Sequence, residues 1–259
     1  MATIAGRYSV SLRGVVTLAL VALLAGCATM EGAITGLRPM YQWVVMTEER
    51  SEADRALDER RKPVQLLEFY DVRAGMRVLD MGAGAGYNTE LLSRAVGPTA
   101  TVYAQNSQGI LDRVVKGRFD ERRKKTPVMR NVIHLVHEFE TPVPSDINRL
   151  DLVIFNFVYH DTVWLGVDRA RMNRAVFEAL KPGGVYIVAD HSAREGVLGS
   201  VAKSLHRIDE ALVRQEIEAA GFKFVADADF LRNPDDWRDT LIFKSEVPTD
   251  RFILKFVKP

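Results

Sequence analysis

The apolar positions of this chain keep two different rhythms. In "SEADRALDERRKPVQLLEFYDV", which begins at Ser51, Ala56, Leu57, Val64, Leu67 and Phe69 recur at near-helical intervals behind a Ser-x-x-Asp cap. Pro63 predicts a break into two helices. After Gly75 the pattern shifts to short apolar runs: "RVLDM" (77–81), "ATVYAQ" (100–105), "NVIHLV" (131–136), "LDLVIFNFV" (150–158) and "GVYIVAD" (184–190). Amphipathic stretches separate them, Asn88 to Val96, Gly109 to Lys125, and Asp168 to Leu180, the last closed by Lys181-Pro182-Gly183-Gly184. Continuous apolar strands alternating with helices predict a parallel sheet covered on both faces. The last part differs: a helix in "ALVRQEIEAAGF", stopped at Gly221, is followed by "KFVADADFL" and "RFILKFVKP" with no helix between them. Two successive strands without a crossover pair antiparallel.

The start of the chain follows another pattern. Arg7 and Arg13 precede an uncharged run from Val15 to Leu24, the layout of a signal peptide. That run is shorter than the roughly 20 apolar residues a membrane-spanning helix needs. Leu24-Ala25-Gly26-Cys27 resembles the bacterial lipobox, whose cysteine becomes a lipidated N-terminus, and Cys27 is the chain's single cysteine. Residues 1–26 are therefore expected to be a lipoprotein signal peptide, 27–50 a tether and 51–259 one domain. Lipidation at Cys27 implies a periplasmic, membrane-anchored protein, and Ala28 in place of Asp implies the outer membrane.

Composition narrows the partners. Hydrophobic residues make up 47% and charged residues 27% of 259, with a formal net charge of +1, so the whole molecule is not biased toward nucleic acid. The basic run "RFDERRKK" (118–125) interleaves acids with bases and reads as a solvated helix face, with no nucleic-acid partner expected. Nothing in the sequence sets the oligomeric state.

The candidate chemistry begins at "VLDMGAGAGYNTELL". Its glycines stand at 82, 84 and 86, and Tyr87 occupies the place where a dinucleotide fingerprint needs its third glycine. The pattern is D-x-G-x-G-x-G, with Asp80 at the strand end suited to a cationic or hydroxylated ligand. This spacing favours an S-adenosylmethionine site over a nicotinamide one.

Around these residues the chain resembles the class I S-adenosylmethionine-dependent methyltransferases, and more narrowly an exported bacterial "predicted methyltransferase" family. The resemblance lies in "RVLDMGAGAGYNTELLSRAVGP", "VYAQN", "YHDTVWLGVDRARMNRAVFEALKPGGVYIVADHSA", "LHRIDEALVRQEIEAAGF" and "DRFILKFVKP". It implies a three-layer, Rossmann-like α/β fold with seven strands in the order 3-2-1-4-5-7-6, the last antiparallel. It also implies a cofactor, S-adenosylmethionine, contacted by Asp80, Gly82, Gly84, Gly86, Tyr87, the end of the second strand at Gln105 and Asn106, Glu138 or Glu140 after the third, and Asn156 at the end of the fourth. Most members carry an acid at the second strand end; an amide accepts more weakly than a carboxylate, so binding is expected to be loose.

Ligands of such sheets lie beyond the carboxyl ends of the strands. There the fourth strand runs into Tyr159-His160-Asp161 and the fifth ends in Asp190-His191. A histidine oriented by a carboxylate can take a proton from a methyl acceptor, which makes His160 with Asp161 the first candidate base and His191 with Asp190 the second. Tyr159 and Trp164 are candidates for the acceptor pocket. His160, Asp161, Asp190, His191 and His206 could together suit zinc or iron, but no helix-spaced His pair supports this, and no metal is expected. The expected function is methyl transfer to a small-molecule acceptor, with a non-catalytic ligand-binding lipoprotein as the alternative.

Overall fold

The computed structural model describes residues 36–259. The predicted signal peptide and Cys27 lie outside the described residues. The chain divides into two compact units, residues 1–40 and 41–259; of the first, residues 36–40 are described and are helical.

The second unit starts ten residues earlier than the sequence pattern predicts. Tyr41, Val44 and Val45 are buried, and the Tyr41 hydroxyl donates to the Val72 carbonyl at 2.9 Å. Arg50 is buried and forks onto Asp58 at 2.6 and 2.7 Å. Residues 41–50, expected as tether, are thus part of the fold. Their apolar positions are too few to show a period, and only packing reveals their role.

Helix α1 (Glu52–Arg61) begins at the predicted cap, where the Ser51 hydroxyl accepts from the Asp54 N–H at 3.1 Å. Lys62 turns left-handed at φ 53° and Pro63 opens α2 (Pro63–Tyr70), so the proline sits where its missing N–H costs nothing. Then follow β1 (Val78–Met81), α3 (Tyr87–Val96), β2 (Val102–Asn106), α4 (Arg118–Lys125), β3 (Val132–Val136), β4 (Leu150–Asn156), α5 (Tyr159–Trp164), α6 (Arg169–Ala179), β5 (Leu180–His191), α7 (Glu210–Ala219), β6 (Lys223–Asp227) and β7 (Arg251–Val257). The predicted helix over 109–125 is broken. Residues 111–115 form a π turn, Lys116 and Gly117 take φ of 48° and 79°, and a helix resumes only at Arg118.

The seven strands lie in the order β3-β2-β1-β4-β5-β7-β6. All neighbouring pairs are parallel except those of β7, which runs antiparallel to both β5 and β6. This is the predicted Rossmann-like sheet, and the missing final crossover is what reverses β7. Every residue of β1 and β2 is buried, which explains their continuous apolar runs. On α3, Leu91, Leu92, Ala95 and Val96 turn inward; each large aliphatic contributes about 1.5–3 kcal/mol of burial. Strand order reverses between β1 and β4, and the loop after β1 opens at that point.

Candidate ligand-binding site

The turn from β1 to α3 is shaped by its glycines. Gly82, Gly84 and Gly86 have φ of 66°, 57° and 89°, the left-handed region that L side chains avoid. A Cβ on Gly82 would stand 3.1 Å from the Phe155 ring, and one on Gly86 would meet Arg122 at 3.1 Å and Phe119 at 3.2 Å. At Gly84 a Cβ would meet open space, because that residue faces the cavity.

Gln105 and Asn106, expected to contact the cofactor, hold the backbone of this loop. The Gly82 N–H donates to Gln105 Oε1 at 2.9 Å and the Gly84 N–H to Asn106 Oδ1 at 2.8 Å. The amide nitrogens reach the carbonyls of His137 at 2.5 Å and Gly84 at 3.2 Å. Both residues are fully buried and neither lines the cavity. A carboxylate accepts only, whereas each amide here both accepts and donates, so the amides at the end of β2 brace the backbone on both sides. His134 packs its ring on Phe119 at 4.2 Å and reaches Asp120 at 3.2 Å, a structural role. Glu138 is exposed in the turn after β3, and Glu140 accepts from the Asp168 N–H at 3.3 Å; neither lines the cavity.

A cavity of about 810 Å³ opens over the loop, lined by Gly82 to Ala85, Tyr87, α1, α4 and the segment Asn156-Phe157-Val158, within the size range of ligand sites. Helix α1 is tied across it. Arg122 of α4 grips both oxygens of Asp54 and reaches Glu90 at 3.0 Å. Burial pushes the Asp54 carboxyl up, but Arg122 outweighs it and holds the group below its usual range. On the other flank the Tyr87 hydroxyl donates to Asp58 at 2.6 Å. The residue that spoils the dinucleotide fingerprint is therefore the anchor for α1.

Two polar groups of the cavity wall have spare capacity. The Arg61 guanidinium lies 4.3 Å above the Tyr87 ring and makes no hydrogen bond or ion pair among the described residues; burial lowers its pKa. Asn156 donates through Nδ2 to the Tyr70 hydroxyl at 2.5 Å, while its buried Oδ1 has no partner among the described residues. A cation and an orphaned acceptor in one wall suit a ligand that carries an anion and a donor. Beside them Phe157 sits at φ 61°, an outlier for a bulky residue of the kind that gathers at ligand sites. Neither Arg61 nor Phe157 belongs to a recognisable motif, and no local signal marks them.

Asp80 does not line the cavity. It is 1% exposed beneath the loop and accepts from the Thr89 hydroxyl at 2.5 Å. Burial pushes its carboxyl up to about 7, against the opposing pull of Thr89 and Arg61. A carboxyl whose folded pKa exceeds its unfolded one favours folding while protonated, so its contribution falls as pH rises from about 4 to about 7 and is then fully lost. Each pKa unit is worth about 1.4 kcal/mol, which bounds the effect at a few kcal/mol. Asp80→Asn is expected to gain stability over the wild type between pH 5 and pH 8, read from urea midpoints. A difference that does not change with pH would rule this out.

The histidine rim lies apart from the cavity. Tyr159, expected at the acceptor edge, points into the core, donating to Glu216 at 2.8 Å and accepting from Asn173 at 2.9 Å. Asp190 is fully buried and accepts from the His160 N–H at 2.7 Å, His160 Nδ1 at 2.7 Å and the His191 N–H at 2.7 Å. His160 thus keeps its predicted contact with Asp161 and also takes Asp190, expected as the partner of the His191 ring, on its other nitrogen. His160 Nε2 faces His206 Nδ1 at 3.1 Å and Asp161 Oδ1 at 3.2 Å. His160 is 2% exposed and does not line the cavity, so a methyl acceptor there has no direct access to it. His191 contacts Thr249 at 2.9 Å, and burial drives its pKa well below the usual histidine value. Trp164 is partly exposed and donates to Asp161 at 2.9 Å.

Comparison with known proteins agrees with this architecture. Residues 61–129 match the family model described as protein-L-isoaspartate(D-aspartate) O-methyltransferase (PCMT). The chain is 33% identical over 121 residues to the ubiquinone/menaquinone biosynthesis C-methyltransferase UbiE of Pasteurella multocida, covering 47% of this chain and 42% of that protein. It thus spans less than half the length of that relative. A SAM dependent methyltransferase from Aquifex aeolicus superposes with a TM-score of 0.59 at 21% identity, covering 79% of this chain and 93% of that one. The [4+2]-cyclase SpnF superposes at 0.56 with 19% identity over 83% and 86% of the two chains. The fold is that of the Rossmann-like class I methyltransferases. One of these neighbours is described as a cyclase, so the fold by itself leaves the reaction to the site.

Proposed function

We propose that the chain binds S-adenosylmethionine in the glycine-loop cavity and directs transfer of its methyl group to a small-molecule acceptor. The observation that carries this reading is the wall of that cavity, where the bare Gly84 backbone, the unpaired Arg61 guanidinium and the orphaned Asn156 Oδ1 meet. Arg61 would take the ligand's carboxylate and Asn156 its ammonium, while Gly84 leaves room for the adenosyl portion. The matches to methyltransferases in sequence and fold support the same class.

When bound, the ligand supplies an electrophilic methyl group on a sulfonium sulfur. The protein's part is alignment: α1 and α4, locked through Arg122, exclude water and hold the acceptor in line. A second reading, a binding protein without turnover, is favoured by one observation: among the described residues no histidine lines the cavity. Methyl incorporation from labelled ligand into a library of phenols, amines and quinols separates the two.

Calorimetry tests the site. S-adenosylmethionine and S-adenosylhomocysteine are expected to bind. 5′-Methylthioadenosine, lacking the amino-acid end, is expected to bind at least about tenfold more weakly, a loss of about 1.4 kcal/mol. NADH binding as well as the adenosyl amino acids would overturn the assignment.

The export reading belongs to the same proposal: the chain is carried across the inner membrane and anchored by lipid at Cys27. Arg7, Arg13, the uncharged Val15 to Leu24 run and Leu24-Ala25-Gly26-Cys27 support it. Acyl chains bind membranes with about 0.8 kcal/mol per buried methylene. Cys27→Ser is expected to move the protein from the membrane fraction to the soluble one, and unchanged partition would refute the anchor.

A further inference from the structure

Three side-chain atoms converge beyond the carboxyl ends of β4 and β5. His160 Nε2 and His206 Nδ1 are 3.1 Å apart, His160 Nε2 and Asp161 Oδ1 3.2 Å, and His206 Nδ1 and Asp161 Oδ1 3.3 Å. The triangle is nearly equilateral. In a tetrahedral site with metal–ligand bonds of about 2.0–2.1 Å, adjacent ligands stand about 3.3–3.4 Å apart. We propose that His160, Asp161 and His206 form a binding site for a zinc-class divalent transition metal, with a fourth position open to water or an oxygen ligand. This proposal is independent of methyl transfer.

The groups around the triangle are those such a site uses. Asp190 accepts from His160 Nδ1 at 2.7 Å; since a carboxylate only accepts, Nδ1 carries a hydrogen, and in the neutral imidazole the Nε2 lone pair points at the triangle. A carboxylate behind a histidine ligand is the usual outer partner in zinc sites, fixing tautomer and ring orientation. Trp164 Nε1 donates to Asp161 Oδ1 at 2.9 Å and holds that carboxylate in place. His160 Nε2, His206 Nδ1 and Asp161 Oδ1 face one another, and either a proton or a metal cation between them satisfies the group.

The third ligand is held with equal firmness. His206 caps the one-turn helix Ala202–Leu205 at φ 53°, a conformation that histidine adopts more readily than most residues but which still carries strain. The next residue, Arg207, is fully buried, with NH1 2.7 Å from Asp236, and Ile208 bridges to Ser192. His206 is therefore pinned to the same strand end as Asp190. Its side chain is one-quarter exposed and Asp161 is similarly open, which gives an ion a route in. The ring of Phe243, itself exposed, stands 5.2 Å from that of His206.

The test uses the purified full chain, stripped with a chelator and titrated with zinc(II) by calorimetry and with cobalt(II) by visible absorption. One zinc per chain and an intense d–d band from a low-coordinate cobalt site are expected. His206→Asn is the main variant because Asn tolerates the left-handed backbone at this surface position. It should weaken zinc at least about 100-fold and abolish the band while the circular dichroism spectrum is kept. Asp190→Asn should weaken zinc about 10–100-fold, as loss of an outer partner does. Zinc binding equal in the wild type and His206→Asn, or cobalt showing only the weak spectrum of the aquo ion, would overturn the site and leave a proton shared among the three groups as the occupant of the triangle.

Discussion

Gly84→Val is expected to abolish the calorimetric signal for S-adenosylhomocysteine while leaving a folded protein. Gly84 has φ 57°, its N–H and carbonyl are both tied to Asn106, and a Cβ added there meets no atom within 4 Å. The new side chain therefore clashes with nothing in the protein and extends into the cavity, where the ligand has to lie against the backbone. A left-handed conformation costs an L residue about 1–2 kcal/mol, and a β-branched residue somewhat more, so the melting temperature should drop by a few degrees. Gly84→Ala separates the two effects: it carries most of the backbone strain with less bulk and should retain weakened binding. A Val variant that binds with unchanged affinity would place the ligand elsewhere.

Asp236→Ala is expected to produce the largest loss of stability, about 3–5 kcal/mol. Arg207 is 0% exposed and its guanidinium is satisfied by Asp236 at 2.7 and 3.1 Å, Thr240 O at 3.0 Å and Ser192 O at 3.1 Å. Asp236 also accepts the backbone N–H groups of Asp250 at 2.6 Å and Arg238 at 3.0 Å. Burial pushes the Asp236 carboxyl up, but Arg207 and these N–H groups outweigh it and hold the group below its usual range. Truncation leaves a buried guanidinium without its counter-ion and frees the long segment between β6 and β7. At about 2–4 °C per kcal/mol for a domain of this size, the melting temperature should fall by roughly 10 °C. Replacing both partners by apolar residues of similar volume should recover only the part of the loss that comes from the unpaired charge, since the Asp250 and Arg238 N–H groups lose their acceptor in either case. A single variant that melts within about 1 kcal/mol of the wild type would show that solvent reaches Arg207.

The glycine loop was legible because its chemistry is local: the left-handed turns at positions 82, 84 and 86 need glycine whatever surrounds them. The antiparallel pairing of the last two strands was legible from the missing helix between them, whereas the full strand order was only what the family resemblance implied. Gln105 and Asn106 were found, but their bonds to the loop backbone were not, since an amide side chain can face a ligand or a backbone and sequence does not say which. Tyr159 was misplaced for a related reason: one residue's rotation at the start of α5 decides whether a side chain meets the cavity or Glu216.

Taken alone, the order of residues determined the parallel sheet, the reversed last strand and the turn at Gly82 to Gly86, because periodicity and backbone sterics act over a few neighbours. Only the folded chain decided that Arg61 and Asn156 share one wall, that Asp190 backs His160, and that His206 arrives 3.1 Å from it across an intervening 45 residues. Those relations depend on which strand ends lie side by side, and that proximity arises from the packing of the whole sheet, which no short window of sequence contains.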